Sequence, residues 1–357
     1  MAHVFIAPHP DDVALSCGGL IASLRELGQN VAIVTVFSGG APGGLTDYQR
    51  EALGFGSKAM WPNSEAFNRA AIAADVRTDG DGVPAWLATE EQLESTQADA
   101  DAAAKRFWQR SSWYRRASIR RQPLAGQALM EETPTQGSAD GGDVLAAASA
   151  GDAMATRRLE DERYAYFAES SIVFLDLPDA VFRGYERDDQ LLGRPHEDDA
   201  APSGLLRSEI ARLEPQRVYF PLGVGGHVDH RLCRAVGLGL RTETAAWTMP
   251  SPDWRGSVVF YEDFPYAWWS DFRRIDDLPS EGSGGLPAGL SLTPEYADIG
   301  DQLERKIRGI SIYESQIGRT FGSTSDMADA VRLYGQKIGS LSGRGGSAER
   351  YWVATRY

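Results

Sequence analysis

Residues 8 to 19 read PHPDDVALSCGG and set His9, Asp11 and Asp12 directly behind the apolar run Val4–Ala7. Adjacent carboxylates repel, and neither has a Lys or Arg close by in the sequence to absorb its charge. A second stretch, PLGVGGHVDHR at 221–231, gathers His227, Asp229 and His230 behind another apolar run, Arg217–Pro221. The chain has five histidines, and three of them fall in these two turns. Imidazoles and carboxylates brought together are divalent-metal chemistry: two imidazoles and one carboxylate, with a position left for water, form a common catalytic zinc set. The same groups hold other divalent ions, so the ligand types leave the ion's identity open.

Part of the first motif has a purely structural use. Pro10 biases His9 toward an extended backbone, and an aspartate at the mouth of the following helix can cap it and face its dipole. That accounts for one carboxylate and leaves the second, and His9, unexplained.

Both motifs need elements that present them together. Strand-like runs occur at Val4–Ala7, Val31–Phe37, Ile172–Leu177, Arg217–Pro221, Ser257–Tyr261 and Tyr351–Thr355. The first two flank the helical pattern VALSCGGLIASLRELGQ, closed by Gly28, which makes a βαβ unit with a right-handed crossover. Continuous apolar runs such as VAIVTVF predict parallel strands covered on both faces. Further helical patterns are MATRRLEDERYAYFAES, LLRSEIARLEP, HRLCRAVGLGLRTE and DIGDQLERKIRGISIYESQ. The expected fold class is therefore α/β: a Rossmann-like, doubly wound, mostly parallel sheet with helices on both faces. In such sheets ligands bind beyond the carboxyl ends of the strands, where both motifs fall.

Residues 45–152 break this rhythm. They lack a convincing β-run and are rich in Ala, Asp, Gly and Gln, so 1–44 and 153–357 are expected to form the core and 45–152 an insertion after the second strand, partly helical and in part disordered. It leaves the strand's carboxyl end, on the edge that carries the motifs, and is expected to wall or lid the pocket. Its basic, aromatic stretch RFWQRSSWYRRASIRRQ offers Trp108, Trp113 and Tyr114 as candidate contacts, although a solvated helix packing its aromatics on the core would look the same. LPSEGSGGLPAGLSLTP, 278–294, reads as a surface loop.

The 357 residues carry 36 Lys and Arg against 50 Asp and Glu, a net charge of -14, which argues against nucleic acid or an anionic membrane as partner. A neutral or cationic small molecule fits better. Two cysteines, Cys17 and Cys233, give no disulfide framework; each follows one motif, so they could lie close together, with small buried residues as the expected role. The sequence shows no leader pattern and no run long enough to span a membrane, so the expectation is a soluble, cytoplasmic protein.

The two motifs, in this order, resemble those of the PIG-L/LmbE-like superfamily of N-deacetylases, whose A-H-P-D-D-E reads PHPDDV here and whose H-x-D-H reads HVDH. Weaker likenesses are RRLEDE, FLDLPDA, YEDFPYAWW and RKIRGISIYESQ. The resemblance implies that His9, Asp12 and His230 bind zinc or another divalent ion, that Asp11 is the general base, and that His227 polarises the carbonyl or protonates the leaving amine. Asp229 would orient His227, and Arg157 and Asp179 would hold substrate. The bland alternatives for the last two are an ion pair with Glu160 or Asp161, and a turn residue. Val13 replaces the usual Glu, and Gly225 stands where some relatives carry a tyrosine. The implied activity is hydrolysis of an N-acyl amide, foremost N-acetyl, on an amino sugar or glycosylated metabolite. An amidase for a thiol conjugate or non-sugar amide, a metal phosphohydrolase and a non-enzymatic binding protein remain the alternatives.

Overall fold

Strand β1, Ala2–Ala7, shows why the sheet must be covered on both sides. Val4 and Ile6 enter one apolar cluster with Leu206, Ile210 and Val236, while Phe5 and Ala7 enter another with Ile21, Ile307 and Ile338. A strand apolar on every residue from Val4 to Ala7 has no face there to give to water.

The computed structural model describes residues 2–41, 43–55, 150–199, 201–242, 256–269, 286 and 289–356. Its other strands are β2 Asn30–Thr35, β3 Ser171–Phe174, β4 Arg217–Pro221, β5 Ser257–Tyr261, β6 Leu290–Asp298 and β7 Ala348–Arg356. They form one sheet in the order β3-β2-β1-β4-β5-β7-β6. Strands β1 to β5 are parallel, and β7 runs antiparallel to both β5 and β6. Helices Asp12–Glu26, Leu303–Ile310 and Thr324–Leu341 cover one face; Ser203–Leu213 and Val228–Thr242 cover the other. The α/β, mostly parallel sheet read from the sequence is what forms. Between β1 and β4 the strand order reverses, the place where sheets of this kind bind ligands beyond the strands' carboxyl ends.

Three local readings change. Strand β6 begins inside the stretch read as a loop; it lies at the sheet edge, where Pro294 costs no ladder bond that a central strand would need. The long helical pattern before Gln316 is two helices, Leu303–Ile310 and Glu314–Thr320, and a further helix, Thr324–Leu341, adds to those read from the sequence. This last begins at Ser323, whose side chain caps Asp326 N–H, and buries Met327, Val331, Tyr334 and Ile338 at helical spacing. Cys17 and Cys233, both free and buried, sit in opposite apolar clusters, so the sheet separates them.

Residues 45–55, the start of the expected insertion, pack against the core. Thr46 and Gln49 form a capping box on helix Asp47–Ala52, and Leu45, Tyr48, Leu53 and Phe55 join Met154, Val181, Tyr185 and Val228 in a third cluster. Residues 56–149, with Trp108, Trp113 and Tyr114, lie outside the described residues. Among the described residues no helix is long and apolar enough to cross a membrane.

Glu349 on β7 locks the helix that carries Asp12. Its carboxylate accepts from Gly19 N–H and Leu20 N–H at 2.9 Å each, from Lys306 Nζ at 2.7 Å and from the Tyr351 hydroxyl at 2.6 Å. Both members of the Lys306–Glu349 pair are buried. Glu349→Ala should therefore strand the ammonium and cost about 3–5 kcal/mol, read as a lower midpoint of urea unfolding.

Candidate metal centre

The turn after β1 solves the problem of two adjacent carboxylates by pointing them apart. Asp11 takes a backbone φ of 103°, a conformation costing a non-glycine residue roughly 1–3 kcal/mol. It occupies the cap position of helix Asp12–Glu26, yet its side chain makes no capping bond. The structural use offered by the sequence is therefore not the one Asp11 serves. Its carboxylate lies 3.6 Å from Arg157 Nη2, whereas Asp12 Oδ2 accepts from His9 N–H at 2.7 Å.

Asp12 Oδ2 also sits 3.2 Å from His9 Nδ1 and 3.4 Å from His230 Nε2. Ligand atoms about 2.0–2.2 Å from a tetrahedral ion lie roughly 3.3–3.6 Å from one another, so these two separations suit edges of such a tetrahedron. Each histidine rests its other nitrogen on a buried carboxylate: His9 Nε2 is 2.9 Å from Asp229 Oδ2, and His230 Nδ1 is 2.6 Å from Asp263 Oδ1. That backing is usual for metal-bound imidazole. Burial opposes charge on His9, but Asp179, Asp12 and Asp229 outweigh it and lift its pKa to about 10. The pocket favours a cation, and the donor set fits a divalent metal.

Among the described residues, two groups of three have donor atoms within 4.8 Å of one another: His9 with His227 and His230, and His9 with Asp179 and Asp229. The second is poorer in available charge. Asp229 is paired with Arg183 and Asp179 faces Arg157 Nη1 at 3.8 Å, so each carboxylate already has a guanidinium. Among the described residues Asp12 has two histidines and no guanidinium within ion-pair distance, which places the best cation position beside it.

The structure brings all eight candidate residues together. Arg157 contacts Asp11, Asp179 and the Pro10 carbonyl, and so departs from the own-helix alternative. Glu160 bonds Ser315 instead, and Asp161 bonds Thr35 and Tyr313. Asp179 serves as the turn residue, its Oδ1 accepting from Val181 N–H, and its Oδ2 stands 3.6 Å from His9 Nε2.

Asp229 is a correction. Its carboxylate bonds His9, Ala180 N–H and Arg183, and only its backbone amide meets His227, donating to Nδ1 at 3.3 Å. Burial and the neighbouring His9 hold the His227 pKa well below its usual value, and Nδ1, accepting the Asp229 N–H, leaves a ring proton to Nε2. Sequence reasoning missed Asp263 and Arg183 as site residues. Asp263 lies within the stretch YEDFPYAWW; Arg183, stacked 4.6 Å over Phe37 and paired with Asp199 as well as Asp229, carried no signal.

Comparison with known proteins follows this geometry. The model of the PIG-L family, GlcNAc-PI de-N-acetylase, matches residues 4–83. The 2'-N-acetylparomamine deacetylase of Streptomyces fradiae is 30% identical over 145 residues, which are 40% of this chain and 46% of that protein, so the chain spans about half the length of this relative. Among solved structures, the A40926 pseudoaglycone deacetylase superposes with a TM-score of 0.55 at 18% identity, covering 99% of this chain and 97% of the other. The zinc-inhibited form of teicoplanin deacetylase gives 0.56 at 17%, covering 100% and 99%. The two solved structures share the fold, while the family match, which takes in PHPDDV, and the 30%-identical relative bear out the resemblance.

Arg183 offers a test of the electrostatics. Arg183→Ala takes the guanidinium from buried Asp229, leaving it to His9, and should cost about 3 kcal/mol in urea unfolding, more than an exposed pair would.

Proposed function

We propose that the protein is a divalent-metal hydrolase that removes an N-acyl group, foremost acetyl, from an amino sugar or glycosylated metabolite, with zinc as its ion. One observation carries this reading: His9 and His230 each turn one ring nitrogen to Asp12 and rest the other on a buried carboxylate. The relatives named as deacetylases of N-acetylparomamine, an antibiotic pseudoaglycone and teicoplanin support the substrate class.

Bound by His9, Asp12 and His230, the ion would act as a Lewis acid toward the amide carbonyl and make nearby water more acidic. Asp11 accepts the proton of the attacking water and returns it to the leaving nitrogen. Burial raises its pKa to about 7 against the pull of Arg157, which suits a group that must both take and give a proton near neutrality. Arg157 has its guanidinium engaged by Asp11, Asp179 and Pro10, and in this reading it holds the base in place. His227 donates its Nε2–H to the carbonyl oxygen as negative charge builds there, a role open to a neutral imidazole. Asp229 holds His9, so the charge supporting the site passes through a ligand and bypasses His227.

Metal analysis of protein purified without chelators should find one divalent ion per chain, and His230→Ala should lose it; stoichiometric metal in that variant removes His230 from the ligand set. Asp11→Asn should keep both fold and metal while turnover of an N-acetyl amino sugar falls at least about a hundredfold. Metal loss in this variant would make Asp11 a ligand. The substrate itself is found by a mass-spectrometric screen of N-acylated sugars and antibiotic precursors against the zinc-loaded protein.

A further inference from the structure

Asp263 stands just past the carboxyl end of β5, on a strand to which the sequence assigned no functional residue. It is 1% exposed, and both carboxylate oxygens are spent on the other half of the site. Oδ1 meets His230 Nδ1 at 2.6 Å, and Oδ2 accepts from Val224 N–H at 2.9 Å. Val224 belongs to the glycine-rich turn that leads from β4 into His227 and His230, so one carboxylate fixes both the ring and the loop that carries it. The loop needs such a tie. Gly223, Gly225 and Gly226 all adopt positive φ, between 77° and 80°, where backbone freedom is greatest and side chains give no anchorage.

We infer that Asp263 is the positioning residue that makes His230 a metal ligand through Nε2. A carboxylate can only accept, so His230 must place its proton on Nδ1; Nε2 then keeps the lone pair and lies 3.4 Å from Asp12 Oδ2, on the ion's side. His9 is held in the same manner by Asp229 but through the opposite nitrogen, Nε2, leaving Nδ1 for the ion. The two imidazoles thus use different nitrogens, each chosen by its own carboxylate. Asp229 is shared with Arg183 and Ala180 N–H, whereas Asp263 has a neutral amide as its other partner, so the pull of Asp263 falls chiefly on His230.

This inference rests on the metal reading above, and its test separates the two. Zinc affinity is measured by competition with a chromophoric chelator for wild type, Asp263→Asn and Asp263→Ala, alongside thermal unfolding of each metal-free protein. Loss of an outer carboxylate of this kind lowers metal affinity about 10–100-fold. The alanine variant should fall in the upper part of that range and the asparagine variant, with one oxygen for two N–H donors, in the lower part. Wild-type affinity in either folded variant overturns the inference while leaving the metal reading intact; a wild type that binds no zinc overturns the metal reading itself. If neither variant folds, nitrogen NMR of zinc-loaded wild type decides: His230 ligated through Nε2 with Nδ1 protonated supports Asp263 in this role, and ligation through Nδ1 overturns it.

Discussion

Negative charge gathered where the strand order reverses is the constraint on which the rest of the site depends. Asp11, Asp12, Asp179, Asp229 and Asp263 gather beyond the carboxyl ends of β1, β3, β4 and β5, and all but Asp11 expose less than a tenth of their surface. Ionised carboxylates are not held in such a place without cations. Different cations answer different carboxylates. Arg157 serves Asp11 and Asp179, Arg183 serves Asp229, and Asp12 is left to two imidazoles that a metal can bridge. The sheet supplies the rigidity this requires, since β1 and β4 are adjacent central strands with apolar cover on both faces.

Backbone strain and electrostatics work together at Asp11. Its positive φ turns one carboxylate toward Arg157 while the next residue turns toward His9 and His230, so neighbouring residues serve different partners. The strain is held by what lies on either side: His9 N–H bonds Asp12, Arg157 bonds the Pro10 carbonyl, and Glu349 pins the following helix at Gly19 and Leu20. A polar ring of bonds around one unfavourable residue is how a fold keeps two like charges close without letting them meet.

The parts of this arrangement legible in the sequence were those written in contiguous residues. PHPDDV and HVDH each place ligand types at the end of an apolar run, and parallel strands buried on both faces leave an unalternating apolar pattern, so the fold class and the convergence of His9, Asp12 and His230 could be anticipated. Roles that depend on the direction of a side chain could not. Nothing in HVDH tells that the Asp229 carboxylate turns from His227 toward His9, or that burial holds the His227 pKa well below its usual value. Asp263 and Arg183 come from segments remote in sequence, Asp263 33 residues beyond its histidine. Strand β6 escaped because an edge strand, half-exposed and containing Pro294, carries little of the apolar signal that marked the central strands.

The two departures from the family's motifs also have local causes. Val13 is buried in the apolar cluster with Leu15, Cys17 and Ile21, where a glutamate would have to give up its hydration. At position 225 the chain has φ 77°, and a Cβ built there would lie 2.6 Å from the ring of Tyr266. The same ring stands edge-on to His230 with centroids 5.8 Å apart. A tyrosine in the loop and Tyr266 in its observed place are therefore mutually exclusive, both for want of space and because the backbone conformation at 225 suits glycine. Glycine in the loop and an aromatic from the segment after β5 form one structural choice, and that same segment carries Asp263. The β5 end thus contributes a wall and a carboxylate to the half of the site that the glycine-rich turn is too pliant to fix by itself.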